Sequence, residues 1–138
     1  MACNLVWEPD GVLKRFAGLV TADEFIWAVK QVHSDSRFDE ARYVICDFSE
    51  ADAKAVSEQA LTEIAALNYG AYASNPNCRI VIVTDDAEFS GRIGRTLMSP
   101  DLASYSVEVR PTVSDARDWL DSQPQLHQLS DVMGFRLR

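Results

Sequence analysis

Carboxylates gather at two places in this chain. Asp47, Ser49, Glu50 and Asp52 follow one apolar run, and Thr84, Asp85 and Asp86 follow another. Carboxylates brought together from neighbouring strands could hold Mg²⁺, with water completing the shell. A phosphoryl-accepting site would use a similar cluster and a lysine after the final strand, where this chain has Arg110 and Pro111. The simpler expectation is that Asp85 or Asp86 caps a helix and favours its positive end, while Glu50 and Asp52 are solvated. Ser90-Gly91-Arg92-Ile93-Gly94-Arg95 offers two glycines and two arginines, a conceivable phosphate grip. It falls inside a helical stretch rather than ahead of one. The glycines are therefore read as allowing close packing and the arginines as a solvated face. Serine, histidine and aspartate all occur, but without a GxSxG or comparable nucleophile context. No catalytic residue is assigned, and the chain is not expected to be an enzyme.

Metal and redox chemistry find little support. His33 and His127 each stand alone, and Cys3, Cys46 and Cys78 form no CxxC. His33 sits at a helix end, where the dipole accounts for it. Cys46 and Cys78 lie in apolar runs and read as small buried hydrophobes of a reducing cytosol. No metal and no cofactor are predicted.

The elements that must position these residues follow from periodicity. Leu5–Trp7 and Val12–Leu19 read as strands around Pro9-Asp10-Gly11, a hairpin signal because Asp and Gly tolerate positive φ. Thr21-Ala22-Asp23-Glu24 fits a capping box, and Phe25, Ile26, Val29 and Val32 continue at helical spacing to about His33. Ser34–Glu40 reads as a polar loop, Arg42–Phe48 as the third strand and Asp47–Lys54 as another polar connection. Ser57 can cap a helix whose stripe is Leu61, Ile64, Ala65, Asn68 and Tyr72. Asn75-Pro76-Asn77 stops it. Cys78–Thr84 has the continuous apolar centre of a strand buried on both faces. A helix runs from Asp85-Asp86 through about Met98. Ser104–Val109 alternates like a half-buried edge strand, and Thr112–Ser122 is a last amphipathic helix on Val113, Ala116, Trp119 and Leu120. The order ββαβαβαβα predicts an α/β domain with a mostly parallel five-stranded sheet and an N-terminal antiparallel hairpin.

A chain of 138 residues suits one domain with a real core. Residues 1–122 form that domain, and residues 123–138 a C-terminal tail packed on the domain or on a partner subunit. The net charge of -8 argues against general nucleic-acid binding and against docking on an anionic membrane. No apolar run approaches membrane-spanning length, and MACNLVWEPDG lacks the pattern of a signal peptide. The expected location is cytoplasmic.

Several segments together resemble the SpoIIAA-like family, whose fold is shared with STAS domains. They are Gly11…Phe16-Ala17-Gly18, Thr21-Ala22-Asp23-Glu24-Phe25, Arg37-Phe38-Asp39, Tyr43-Val44-Ile45-Cys46-Asp47-Phe48, Ile80-Val81-Ile82-Val83 with Asp85, and Ala116, Trp119 and Leu120. The likeness covers roughly residues 5–122, and its motifs set a fold rather than a chemistry. In STAS anti-sigma-factor antagonists, a strand ending in Asp precedes a serine that is phosphorylated at the next helix start. By that match Asp47 ends the strand, Glu58 or Gln59 stands where the phosphoacceptor would be, and Ser57 just before it reads as a plain N-cap.

The function expected is a non-catalytic interaction or regulatory module, with a strand-end interaction site drawn from Asp47, Ser49, Ser57, Glu58, Asp85 and Asp86. The alternative is a carrier or sensor of a small hydrophobic ligand held by Trp27, Tyr69, Tyr72 and Phe89. A pocket above about 300 Å³ would favour the alternative, and a solid core with an exposed apolar patch the module. A homodimer is expected, because sheet strands apolar on both sides need cover on both faces. The first helix, the tail and a second subunit are the candidate covers.

Overall fold

The computed structural model of the chain describes residues 3–124. Its elements are β1 (Cys3–Trp7), β2 (Gly11–Leu19), α1 (Ala22–Ser34), a 3₁₀ turn (Ser36–Glu40), β3 (Tyr43–Asp52), α2 (Glu58–Ser74), β4 (Arg79–Val83), α3 (Ala87–Arg95), β5 (Ser106–Arg110) and α4 (Val113–Ser122). The strands lie side by side in sequence order. β1 runs antiparallel to β2, and β2 through β5 are parallel. The architecture is α/β.

Local chemistry sets most boundaries. Thr21 accepts from the Glu24 N–H while the Glu24 carboxylate reaches back to the Thr21 N–H, a closed capping box. Ser57, Asp86 and Thr112 cap α2, α3 and α4 through their side-chain oxygens. Gly11 serves a different purpose from the one its Asp-Gly context suggests. Gly18, at φ 68°, is the glycine with positive φ among the described residues. At Gly11 the constraint is space, since a Cβ there would lie 2.5 Å from the Tyr43 carbonyl oxygen and against its ring. Two expected loops are also more ordered than their polarity suggests. Phe38 is buried within the 3₁₀ turn. β3 continues through Asp52 because, past a bulge, Glu50, Ala51 and Asp52 pair with Ala17, Gly18 and Leu19. β4 stops opposite Asp47, so this extension is polar.

The core splits into two layers. Right-handed crossovers between neighbouring parallel strands place their helices on one face, and the larger cluster accordingly joins α1, α2 and α3 to Val12, Phe16, Val44, Cys46, Phe48, Ile80 and Ile82. Within it Phe16 stacks on Phe48 at 4.4 Å, with Phe25 and Phe89 meeting Phe48 at 5.1 and 4.9 Å. The other face carries Leu13, Ile45, Val81 and Val83 under Ala116, with Tyr43, Val113, Trp119 and Leu120 against them. Here the expected cover is corrected. The first helix packs on the large layer, and α4 lies on the opposite one. No strand follows α4 among the described residues, so no crossover rule ties it to its siblings. Of the tail proposed as cover, residues 123–138, all but Gln123 and Pro124 lie outside the described residues. No described helix is long and apolar enough to cross a membrane.

Candidate functional site

The strand-end residues do not converge on one centre. Asp47 lies inside β3, beside Arg15 on β2 and Val83 on β4, so it does not end the strand. Its Oδ1 accepts from the Ser49 N–H at 2.9 Å, closing a turn across the bulge. Ser57 Oγ accepts from the Ala60 N–H at 3.1 Å. Glu58 pairs with Arg95 at 3.1 Å. Asp86 accepts from the Glu88 and Phe89 N–H groups at the start of α3, and Asp85 is exposed just before it. Among the described residues no group of three His, Cys, Asp or Glu side chains could hold a metal ion. Each oxygen that holds a backbone N–H in this way is already serving local order.

Of the two arginines of α3, Arg95 is exposed, as a solvated face requires, and Arg92 is not. Arg92 donates from Nε to the Val56 carbonyl at 3.0 Å and from an Nη to the Ala53 carbonyl at 2.9 Å. It clamps the β3–α2 connection, and Arg95 fastens the start of α2 beside it. Nor do the glycines need to be small for packing. A Cβ at Gly94 meets nothing within 4 Å, and one at Gly91 meets only the end of Arg95. Arg92 is a structural tether, while Arg95 stays largely in solvent beside Glu58.

The second face of the sheet is only partly covered. α4 makes its contacts with β3, β4 and β5. A charged clamp fixes it there: Arg117 donates two hydrogen bonds to Glu8 at 3.0 and 2.8 Å, and the Tyr43 hydroxyl donates to the same carboxylate. The Arg117 guanidinium holds the Glu8 carboxyl below the usual carboxylate range, against a smaller opposing effect of burial. β1 and the carboxyl half of β2 contribute nothing to the apolar layer beneath α4. Val6 pairs with Leu13 and Asn4 with Arg15, so alternation puts Val6, Asn4 and Arg15 on this face. Val6 remains 37% exposed. An open groove of about 490 Å³ runs from this face round the edge of the sheet, lined by Asn4, Arg15, Ala17, Asp47, Ser49 and Glu50 and by Cys3 and Phe16 from the other face. Two of the sequence candidates, Asp47 and Ser49, therefore share a surface. Ser57, Glu58, Asp85 and Asp86 do not line it.

The proposed apolar pocket is corrected. Phe89 is wholly buried among the phenylalanines, Tyr69 is 75% exposed, and Trp27 and Tyr72 are also exposed. Tyr72 meets the Tyr105 ring edge-on at 5.3 Å. None of the four lines the interior cavity between the sheet and α1 and α2. That cavity is about 20 Å³, room for about one water. Aromatic residues at helical spacing were a poor guide because large rings fill cores and cover surfaces equally well.

Arg15, Asn4 and Val6 belong to no motif, and their signal in the sequence is position alone: Arg15 alternates with buried residues, and Asn4 and Val6 with half-buried ones, on an edge hairpin. Lys14 likewise declares itself only by phase, in step with Val12 and Phe16 and buried with them. No family model matches the chain, and no curated protein is detectably similar to it.

Proposed function

We propose that this domain is a non-catalytic interaction module of the SpoIIAA-like type, and that its docking surface is the half of the sheet that α4 leaves open. The single observation behind this reading is that α4 covers β3 to β5 while Asn4, Arg15 and Asp47 face an open groove and Val6, on the same side of β1, stays exposed. The solid interior agrees with it, since the cavity beneath the helices is only about 20 Å³ and the roomier openings are surface grooves. The strand-ordered sheet with a leading hairpin is what the family resemblance implies.

The partner is a second copy of the chain. A two-fold interface uses one patch twice and must be self-complementary. This patch offers Arg15 beside Asp47 and Glu50, with Val6 exposed near them. Charge of both signs and an apolar centre on one surface meet that requirement. Sedimentation equilibrium of the full chain tests it. Twice the 15.4 kDa chain mass is expected at tens of micromolar, with Val6→Asp and Arg15→Glu each shifting the protein toward the single-chain mass. A wild type that sediments as one chain, or a dimer indifferent to both substitutions, would overturn the proposal.

A further inference from the structure

The interior cavity holds an anomaly that packing alone does not explain. Lys14 is 3% exposed and Asn68 6% exposed, and both line the same space of about 20 Å³. Among the described residues, no hydrogen bond or ion pair is made by either side chain. Buried ammonium groups are ordinarily matched by a carboxylate or by several acceptors, because an isolated charge in apolar surroundings is costly. No aspartate or glutamate lines this cavity. The neighbouring thiols do not supply the missing charge either. Burial pushes Cys78 up to about 12 and Cys46 upward as well, so both stay protonated. His33, from α1, also lines the space. Burial, helped by Lys14, lowers its pKa to about 4, which leaves a neutral imidazole able to donate one N–H. The Tyr105 hydroxyl is already committed to the Asn75 carbonyl at 2.6 Å.

The cavity thus gathers donors from three elements: an ammonium from β2, an amide from α2 and an imidazole from α1. The rest of its wall is mostly apolar, with Phe25, Phe38, Ile64 and Leu97 among the residues that enclose it. We propose that this cavity binds a small monovalent anion of halide size, held by Lys14 and Asn68. Size excludes anything with an acyl tail. A single water would satisfy part of the donor set but brings no charge opposite to that of an ammonium. A halide satisfies both. Its binding would join α1, α2 and the sheet through one ion. The proposal is independent of the docking surface, which lies on the other face of the sheet.

The test is crystallography of the full chain grown in sodium bromide, read by anomalous scattering. An anomalous peak in the cavity, within contact of Lys14 Nζ and the Asn68 amide, is expected. It should vanish in Lys14→Met and weaken in Asn68→Leu. In solution, replacing gluconate by chloride at constant ionic strength should raise the wild-type Tm by a few degrees and leave Lys14→Met unmoved. A cavity holding only water at molar bromide would overturn the proposal, as would equal Tm values in the two salts. Greater stabilisation by hexanoate than by chloride would refute the size argument. The bromide experiment on the wild type decides the matter even if a variant fails to fold.

Discussion

Acid should loosen this domain through His33 before it does so through the carboxylates. The His33 ring packs against Phe38 at 5.0 Å, and desolvation followed by the nearby Lys14 charge lowers its pKa from 6.5 to about 4. The unfolded chain therefore takes up this proton first. Stability contributed by neutral His33 is fully present above about pH 6.5, declines as pH falls through that value, and is gone below about 4. At 1.36 kcal/mol per pH unit the displacement would amount to roughly 3 kcal/mol. The ring is only partly buried, and solvent screening reduces this to about 1–2 kcal/mol. Asp35 and Glu8 act in a separate window. Their pKa values are lowered, Asp35 by its hydrogen bonds from Arg37 and Glu8 by those from Arg117. Their contributions are lost only as pH falls below the ordinary carboxylate range. Urea unfolding of the wild type and His33→Gln from pH 7.5 to 4 separates the two. The stability difference between the proteins should change by about 1–2 kcal/mol, almost all of it between pH 6.5 and 4. A difference that stays flat across that window would refute the burial argument.

Three other outcomes follow from the packing. Gly11→Ala should destabilise by about 2–4 kcal/mol in urea unfolding, because the added Cβ meets the rigid Tyr43 backbone as well as its ring. Arg92→Met should lose about 2–3 kcal/mol, since it leaves the Val56 and Ala53 carbonyls without their charged donor. Hydrogen exchange should quicken in the β3–α2 connection of that variant. Tyr69→Ala, at a side chain 75% exposed, should change stability by less than about 0.5 kcal/mol by the same measurement.

Element type was readable in this sequence where the cause is local. The Thr21 to Glu24 box, Ser57 before its helix and the alternation of Tyr105, Val107 and Val109 each declare themselves within a few residues. What escaped was set by distant partners. β3 extends to Asp52 only because Ala17 to Leu19 are there to pair with it. Gly11 is constrained by a residue in another strand. Arg92 looked solvated because its acceptors lie more than thirty residues back. The candidate site was legible only in part for the same reason. Asp47 and Ser49 reach the open face, but the bulge that brings them there depends on β2.

Lys14 shows how composition can mislead where phase does not. In Val12-Leu13-Lys14-Arg15-Phe16 the two cations look alike, a basic pair amid apolar residues. Alternation separates them: Lys14 takes the side of Val12 and Phe16, under three helices, while Arg15 takes the opposite face beside Asp47. One charge is therefore enclosed and the other is open, although they are adjacent in the chain. The same alternation explains why an acidic protein can present a surface of mixed sign. Arg117, Arg95, Arg110 and Arg37 are held in ion pairs with Glu8, Glu58, Glu108 and Asp35. Arg15 has no such partner among the described residues, and it sits on the face that α4 leaves uncovered. A cation without an ion pair among the described residues, beside Asp47 and Glu50 on an open sheet, is what the proposed self-docking would use.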